Sequence, residues 1–343
     1  MNLAWDLPLI WALLIATAVF LYVALDGFDL GVGILFPFAK NTRERDQMQA
    51  AIAPVWDGNE TWLVLGGGGL FAAFPKAYAV VMPALYAPII LMLIALIFRG
   101  VAFEFRHHGR ARGKTFWTFA FSAGSAAAAI AQGLVLGGFL QGIHVESGAF
   151  AGGPFDWLTP FSILVAASVV AGYALLGASW MVFKTKGELF ERARGWVKTL
   201  ALLMGLAMAA VSLATLNIDP RVTARWGLTM TSVDWDNFIW MAPLPIIAGA
   251  ICYMLWRGAE KRLHLQPYLY SVGLFAIGYL GLAISLWPFI VPFAMTPADA
   301  AAADNALVLM LWGTAPLLPL ILAYTAYVYW IFRAKVGDDA AYH

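Results

Sequence analysis

Nine hydrophobic segments, each long enough to cross a lipid bilayer, follow one another along the chain. No connection between them is long enough to form a separate soluble domain, so residues 1–343 are expected to form a single polytopic membrane domain. Within lipid, only helices and closed barrels satisfy their backbone hydrogen bonds. The sequence therefore predicts an all-α integral membrane protein, with spans at about 8–38, 55–75, 78–104, 115–140, 160–183, 197–217, 237–256, 267–292 and 305–332.

Composition supports a membrane protein and excludes several kinds of site. Charged residues make up 12% and hydrophobic residues 62% of the chain, whereas a soluble domain has about 25% and about 45–50%. A net charge of +1 gives no indication of nucleic-acid binding. The single cysteine, Cys252, excludes an internal disulfide, a zinc site built from cysteines and an iron–sulfur cluster within this chain.

The second segment is the least regular of the nine. It contains four consecutive glycines, at 66–69, and ends at Pro75 and Lys76. We interpret it as one half of a helical hairpin, with the third segment as the other half. The alternative is a buried re-entrant segment, which would leave eight spans.

Lysine and arginine are distributed very unequally between the two sides of the predicted spans. Of the 21 basic residues, seventeen lie in the loops of one side and in the C-terminal tail, three lie in the loops of the other side, and Arg99 lies within a span. Because basic loops stay in the cytoplasm, the N-terminus is predicted to be periplasmic and the C-terminus cytoplasmic. The pattern also favours nine spans, since eight would place basic loops on both sides.

Acidic residues cluster near the predicted cytoplasmic ends of the first three spans. A charge at the centre of a bilayer costs about 2.5–3.5 kcal/mol, so each exception calls for a reason. The first span has two acids three residues apart on one helix face, the second begins with two more, and the third carries an arginine and an acid. The clustered residues are Asp26, Asp29, Asp57, Glu60, Arg99 and Glu104.

Each of these groups also has a purely structural explanation. The first pair could mark a helix break beside close-packed glycines, Asp57 and Glu60 resemble a capping box, and Arg99 could extend to the interface. Because short connections keep the first three spans adjacent, however, the carboxylates should lie near one another and could hold or relay a proton. A proton path from the cytoplasm is therefore predicted, with sodium binding or structural ion pairing as alternatives.

The histidines argue against a haem or another metal bound by this chain. Haem iron needs an axial His, Met, Cys or Tyr ligand. Methionines in membrane helices usually serve packing, and no histidine lies deep in a predicted span. The histidines are His107, His108, His144 and His264 in predicted loops and His343 at the C-terminus.

Two long motifs carry a resemblance to a known family. They are the stretches 26–33 (DGFDLGVG) and 53–63 (APVWDGNETWL), accompanied by the shorter stretches 71–75, 98–104 and 287–289. The whole chain resembles subunit II of cytochrome bd-type quinol oxidases. The resemblance extends to these motifs and their order along the chain, to the sizes of the loops and to the number of spans. The chain's short length is similar to that of the cyanide-insensitive branch.

The resemblance implies two four-helix bundles plus a peripheral helix, in the inner (plasma) membrane of a bacterium. The partner, subunit I, would oxidise quinol and carry the haems b558, b595 and d, or a b-type haem at the oxygen site. Subunit II carries no haem in this family, although some members lodge a structural quinone in it. Lipid and a small accessory single-span subunit are further neighbours that the resemblance leaves open.

The implied function is that of a subunit of an electrogenic quinol oxidase. This chain would stabilise subunit I and contribute a cytoplasmic proton-uptake path for reduction of oxygen to water, without being catalytic by itself. The residues assigned to that path are Asp26, Asp29, Asp57, Glu60, Trp62, Arg99 and Glu104. Acidic residues of the family's path match Asp26, Asp29 and Asp57, with Trp62 nearby, whereas the match at Glu60 is weaker.

Two other functions remain compatible with the residues. A standalone proton- or sodium-coupled transporter would also have glycine-rich, broken helices and charges inside the membrane. Here the charges gather toward one face rather than at the midplane, which argues against a transporter. The second is a membrane subunit with a structural role alone, which does not explain why the carboxylates cluster.

Overall fold

The computed structural model describes residues 6–108, 111–228 and 232–337, and within these ranges it describes all side chains except those of residues 107, 108, 111 and 112. A short antiparallel hairpin, β1 (Val145–Glu146) and β2 (Ala149–Phe150), pairs Val145 with Phe150. The rest of the regular structure is helical. The helices are α1 (Leu7–Leu35), α2 (Thr42–Ile52), α3 (Trp56–Ala73), α4 (Pro75–Ala84), α5 (Tyr86–His108), α6 (Ala111–Leu140), α7 (Pro160–Lys184), α8 (Gly187–Thr215), α9 (Pro220–Arg225), α10 (Trp235–Met241), α11 (Pro243–Glu260), α12 (Gln266–Leu286), α13 (Pro297–Ala300) and α14 (Asp304–Ile331).

The all-α membrane fold is confirmed, and within the described ranges eight helical segments are long and apolar enough to span a bilayer. They match eight of the nine predicted spans. The remaining one, predicted at 55–75, is α3, whose 18 residues include five glycines and two acids and reach about 27 Å. On length and hydropathy alone, eight of the nine predicted spans are therefore found within the described ranges, and α3 falls short of these criteria.

The position of α3 supports the hairpin interpretation of this segment. Its N-terminal part contacts α1 at Asp29 through Asn59. Farther along, Gly66 and Gly69 lie against Val19 and Ile15 of α1. Helix α3 therefore runs antiparallel to α1 from residue 29 back to residue 15, a distance of about 21 Å along the axis. A re-entrant segment would turn back before covering this depth.

Prolines explain where the predicted spans are interrupted. The third segment, predicted as continuous over 78–104, is divided at Leu85 into α4 and α5. Pro88 has no N–H to donate to the Ala84 carbonyl, and its ring clashes with that carbonyl, so α4 ends at Ala84. The eighth segment, predicted to reach residue 292, ends at Leu286 just before Pro288, and the seventh is divided at Ala242, before Pro243.

The helices form the predicted two bundles. In the second half, α7, α8, α11 and α12 pack in a closed ring, each against its two neighbours. In the first half, α1 packs against α3 and α6, and α6 packs against α5. Helix α14 is peripheral: it contacts α1 and α3, and Leu307 is its one buried residue. This arrangement confirms two four-helix bundles plus a peripheral helix.

The two bundles meet where α1 crosses α7, and glycines allow the backbones to touch. A Cβ added at Gly31 would lie 1.8 Å from the carbonyl oxygen of Tyr173, and one added at Gly177 would lie 2.4 Å from the carbonyl carbon of Gly31. Small residues permit such close approach of membrane helices. Residues 26–33 of α1 are buried as a result, so this stretch faces protein rather than lipid.

We expect Gly31→Ala to separate α1 from α7 and to lower the midpoint temperature of thermal unfolding of the detergent-purified chain. Overpacking of this kind costs typically about 1–3 kcal/mol. The matched control is Gly249→Ala in α11, where an added Cβ meets no atom within 4 Å, and its midpoint should not fall. Equal midpoints for the two variants would contradict the close contact.

Candidate functional site

Arg99 lies at the centre of a buried charged cluster that joins α1, α3 and α5. One terminal nitrogen donates to Asp26 Oδ1 at 2.9 Å, and the other donates to Glu60 Oε2 at 3.2 Å. The side chains of Arg99 and Asp26 are 0% exposed, and that of Glu60 is 29% exposed. The guanidinium carbon also lies 5.1 Å from the ring centroid of Trp56. The alternative that Arg99 extends to the membrane interface is therefore wrong.

Asp29 belongs to the same cluster but has a different partner. Its Oδ2 accepts a hydrogen bond of 2.7 Å from the Asn59 side-chain amide. The Asn59 carbonyl oxygen in turn accepts a hydrogen bond of 2.8 Å from the Tyr329 hydroxyl. Asp29 is fully buried, and its Oδ1 has no hydrogen-bond partner among the described residues. The peripheral helix α14 is thereby connected to the cluster.

A second set of polar groups begins one helical turn before Asp26. The Tyr22 hydroxyl accepts a hydrogen bond of 2.7 Å from the Gln132 amide, and the Gln132 carbonyl accepts one of 2.6 Å from the Tyr173 hydroxyl. Trp62 packs beside Tyr22 and Ala18 in a small buried group. These contacts line the side of the cluster that lies deeper in the predicted membrane.

Two predicted residues lie outside the buried cluster. Asp57 is exposed in the first turn of α3, three residues before Glu60, and Glu104 is exposed on α5 next to buried Phe103. The capping alternative for Asp57 is also wrong, because Val55 occupies the N-cap position of α3 and no side chain caps that end. Asp57 and Glu104 are therefore surface groups at the end of the helices that hold the cluster.

Sequence reasoning missed several polar members of the site. Asn59 lies inside the motif 53–63, but it carries no charge, whereas the nearby Asp57 and Glu60 were predicted because they are acidic. Gln132 and Tyr329 lie more than 30 residues from any acid of the cluster in sequence, and no spacing rule connects them to it. A neutral polar side chain in an apolar helix was the available signal for Gln132.

The described residues include no group of three His, Cys, Asp or Glu side chains that could hold a metal ion. His144 and His264 lie in exposed loop positions, and His144 pairs with Glu146. The side chains of His107 and His108, and all of His343, lie outside the described part of the chain.

We expect Arg99→Met to destabilise the protein strongly, because it leaves the Asp26 carboxylate buried without a cation. Breaking a buried ion pair from one side costs roughly 3–5 kcal/mol. Adding Asp26→Asn to Arg99→Met should restore part of the loss. The readouts are the midpoint of thermal unfolding and the yield of monodisperse protein.

The matched control for Arg99 is Arg257→Met. Arg257 pairs with Glu260 at 3.6 Å, and both side chains are nearly half exposed, so this loss should be about 0–1 kcal/mol. A loss for Arg99→Met no larger than that of the control would contradict a buried pair with Asp26.

Comparison with known proteins agrees with this architecture. The family described as cytochrome bd terminal oxidase subunit II matches residues 7–332. The chain is 30% identical to cytochrome bd-I ubiquinol oxidase subunit 2 of Escherichia coli strain K12, over 97% of this chain and 96% of that relative. It is 27% identical to cytochrome bd ubiquinol oxidase subunit 2 of Bacillus subtilis strain 168, over 96% of each.

A solved structure shows the same fold. A chain of the bd oxidase from Geobacillus thermodenitrificans superposes with a TM-score of 0.74 at 18% identity, covering 95% of this chain and 98% of that chain. The sequence matches and this likeness of fold lead to one conclusion. The chain belongs to the cytochrome bd terminal oxidase subunit II family and is a multi-pass subunit of a bacterial quinol oxidase complex.

Proposed function

We propose that this chain stabilises a haem-bearing subunit I and contributes the cytoplasmic proton-uptake path through which oxygen is reduced to water. The observation that carries the proposal is the buried cluster in which Asp26, Asp29 and Glu60 surround the single cation Arg99. Haems b558, b595 and d, or a b-type haem at the oxygen site, would reside in the partner subunit and supply electron transfer and oxygen reduction.

The imbalance of charge gives the cluster a capacity for protons. Three carboxylates share one guanidinium in surroundings that are largely removed from water. Each uncompensated charge in such a site is expensive, and the usual response is that an acid takes up a proton. The cluster is therefore suited to hold a proton and to release it when a neighbouring group draws on it.

The surface acids provide a way into the cluster. Asp57 is exposed, and Glu60 follows it by three residues on α3 while contacting Arg99. Residues three apart lie on the same side of a helix, so a proton taken up at Asp57 would pass Glu60 on its way to the buried acids. Glu104 is the exposed acid of α5 on the same side of the membrane, and Trp62 borders the inner end.

This direction of uptake depends on the orientation of the chain. The basic residues lie mainly at or just after the C-terminal ends of α1, α5, α7, α11 and α14. These ends lie on the same side of the membrane as the exposed acids of the site. By the positive-inside rule, this side faces the cytoplasm and the N-terminus faces the periplasm. If α3 crosses with the eight longer segments, nine crossings place the two termini on opposite sides.

The exposed faces of α3 and α5 are suited to subunit I. Val64 and Phe71 on α3, and Ile97 and Phe98 on α5, are more than half exposed. By their seven-residue spacing, Val64 and Phe71 share a helix face with Asp57, and Ile97 shares one with Glu104. A partner subunit bound to these faces would cover their apolar surface. It would also lie beside the acids through which protons would enter. A structural quinone, quinol, lipid and a small accessory subunit are further proposed neighbours of the complex.

We expect this chain, tagged and purified gently from its own membranes, to bring with it a second polytopic chain and haem. The readouts are a dithionite-reduced minus oxidised spectrum and mass spectrometry of the co-purified proteins. Haem bands together with a histidine-bearing partner would support the proposal. A colourless protein that purifies alone would contradict it and favour the transporter.

We expect Asp57→Asn to slow oxygen consumption by the assembled oxidase severalfold while the haem content stays normal, because the first proton acceptor is lost. The matched control is Asp236→Asn, an exposed acid in the first turn of α10, which should leave turnover unchanged. Normal turnover with Asp57→Asn would remove this residue from the path, and loss of haem would indicate a structural role.

A further inference from the structure

The acids of the buried cluster have two kinds of environment. Asp26 and Glu60 each accept a charged hydrogen bond from Arg99, at 2.9 and 3.2 Å. Asp29 is as fully buried as Asp26, but among the described residues its hydrogen-bond partner is the neutral amide of Asn59 at 2.7 Å. The cation of the cluster is therefore committed to two of its three acids.

The orientation of the Asn59 amide is determined by its other contacts. The amide nitrogen also lies 3.4 Å from the Leu25 carbonyl oxygen, which can only accept a hydrogen bond. On the opposite side, the amide oxygen accepts from the Tyr329 hydroxyl at 2.8 Å. Asn59 therefore donates to Asp29 Oδ2, and that carboxyl oxygen acts as an acceptor.

The other oxygen of Asp29, Oδ1, is buried and has no hydrogen-bond partner among the described residues. Phe28, which precedes Asp29 in the chain, packs against three aromatic side chains. Its ring stacks on that of Trp180 with centroids 4.2 Å apart and meets the rings of Tyr268 and Tyr329 edge-on. The ionisable groups that influence Asp29 from the surrounding helices are Asp26, Glu60, Arg99, Tyr268 and Tyr329.

This geometry distinguishes the two protonation states of Asp29. An ionised carboxylate would bury a charge with one neutral donor and one oxygen without a partner, which costs far more than burying a neutral acid. In the neutral acid, Oδ2 is the carbonyl oxygen that accepts from Asn59, and Oδ1 carries the proton. At Asp26 and Glu60, in contrast, a charged donor stabilises the ionised form.

We propose that Asp29 is the acid of the cluster that holds the exchangeable proton, and that Asn59, oriented by Tyr329, is the positioning residue that keeps it there. Asp26 and Glu60 remain carboxylates paired with Arg99. This inference rests on the proposed proton path, which it refines by naming one storage position beside a fixed ion pair.

Infrared spectroscopy of the assembled oxidase tests the proposal directly. The carbonyl band of a protonated carboxylic acid is separate from carboxylate bands and shifts when its proton is replaced by deuterium. The spectrum in H2O minus that in D2O should contain such a band at neutral pH. Asp29→Asn should remove it, whereas the matched control Glu60→Gln should retain it. A band that persists in Asp29→Asn, or that Glu60→Gln removes, would overturn the assignment.

The positioning role has its own signature. Asn59→Leu removes the donor to the carbonyl oxygen of Asp29, so the band should move to higher frequency, and Tyr329→Phe should move it by a smaller amount. If Asp29→Asn fails to assemble, Asn59→Leu decides: a shifted band supports the proposal and an unshifted band overturns it.

Oxygen consumption by the same variants separates this inference from the proposed function. If Asp29→Asn and Glu60→Gln both retain full turnover although the former lacks the band, Asp29 holds a proton that the reaction does not use. In that case the proposed path fails while the storage position stands. If both variants turn over slowly and Asp29→Asn retains the band, the proposed path stands while the storage position fails.

Discussion

The buried guanidinium of Arg99 is the interaction on which the rest of the site depends. It connects three helices through Asp26 and Glu60, and without it the carboxylates could not remain ionised in the interior. A buried ion pair contributes little net stability over an apolar substitute, but breaking it from one side is costly. The presence of this ion pair among the membrane helices is therefore better explained by a function than by its contribution to stability.

Close helix packing is the second requirement, since it decides which way the acids face. Gly31 and Gly177 bring the backbones of α1 and α7 into contact, and this contact turns residues 26–33 of α1 toward protein. The carboxyl groups of Asp26 and Asp29 are buried among α3, α5 and α7 as a result, rather than facing lipid. The glycines of the motif 26–33 and its acids thus serve one arrangement: the former set the distance between helices and the latter use the space between them.

Much of the fold could be predicted from the sequence, because lipid leaves so few ways to satisfy a backbone. Hydrophobic length gave the spans, and motif resemblance gave the two bundles. The interruption at Leu85 was missed although Pro88 was visible, since hydropathy does not register a missing N–H. Within the site, charge located Asp26, Glu60 and Arg99, but only tertiary structure could bring Tyr329 to Asn59 across 270 residues. Asp57 and Glu104 were predicted with the cluster because they share its depth, but depth does not determine which side of a helix faces inward.

A fixed ion pair beside a neutral acid has a physical advantage for proton uptake. If all three acids competed equally for Arg99, the proton would be shared among them and its release would require the pairs to rearrange. With Asp26 and Glu60 held by Arg99, the field at Asp29 stays constant while its proton comes and goes. Asn59 can remain in place in both states, because its amide donates to a carboxylate as well as to a carbonyl oxygen. The cluster can therefore change charge by one without moving a helix, which suits a subunit packed this closely.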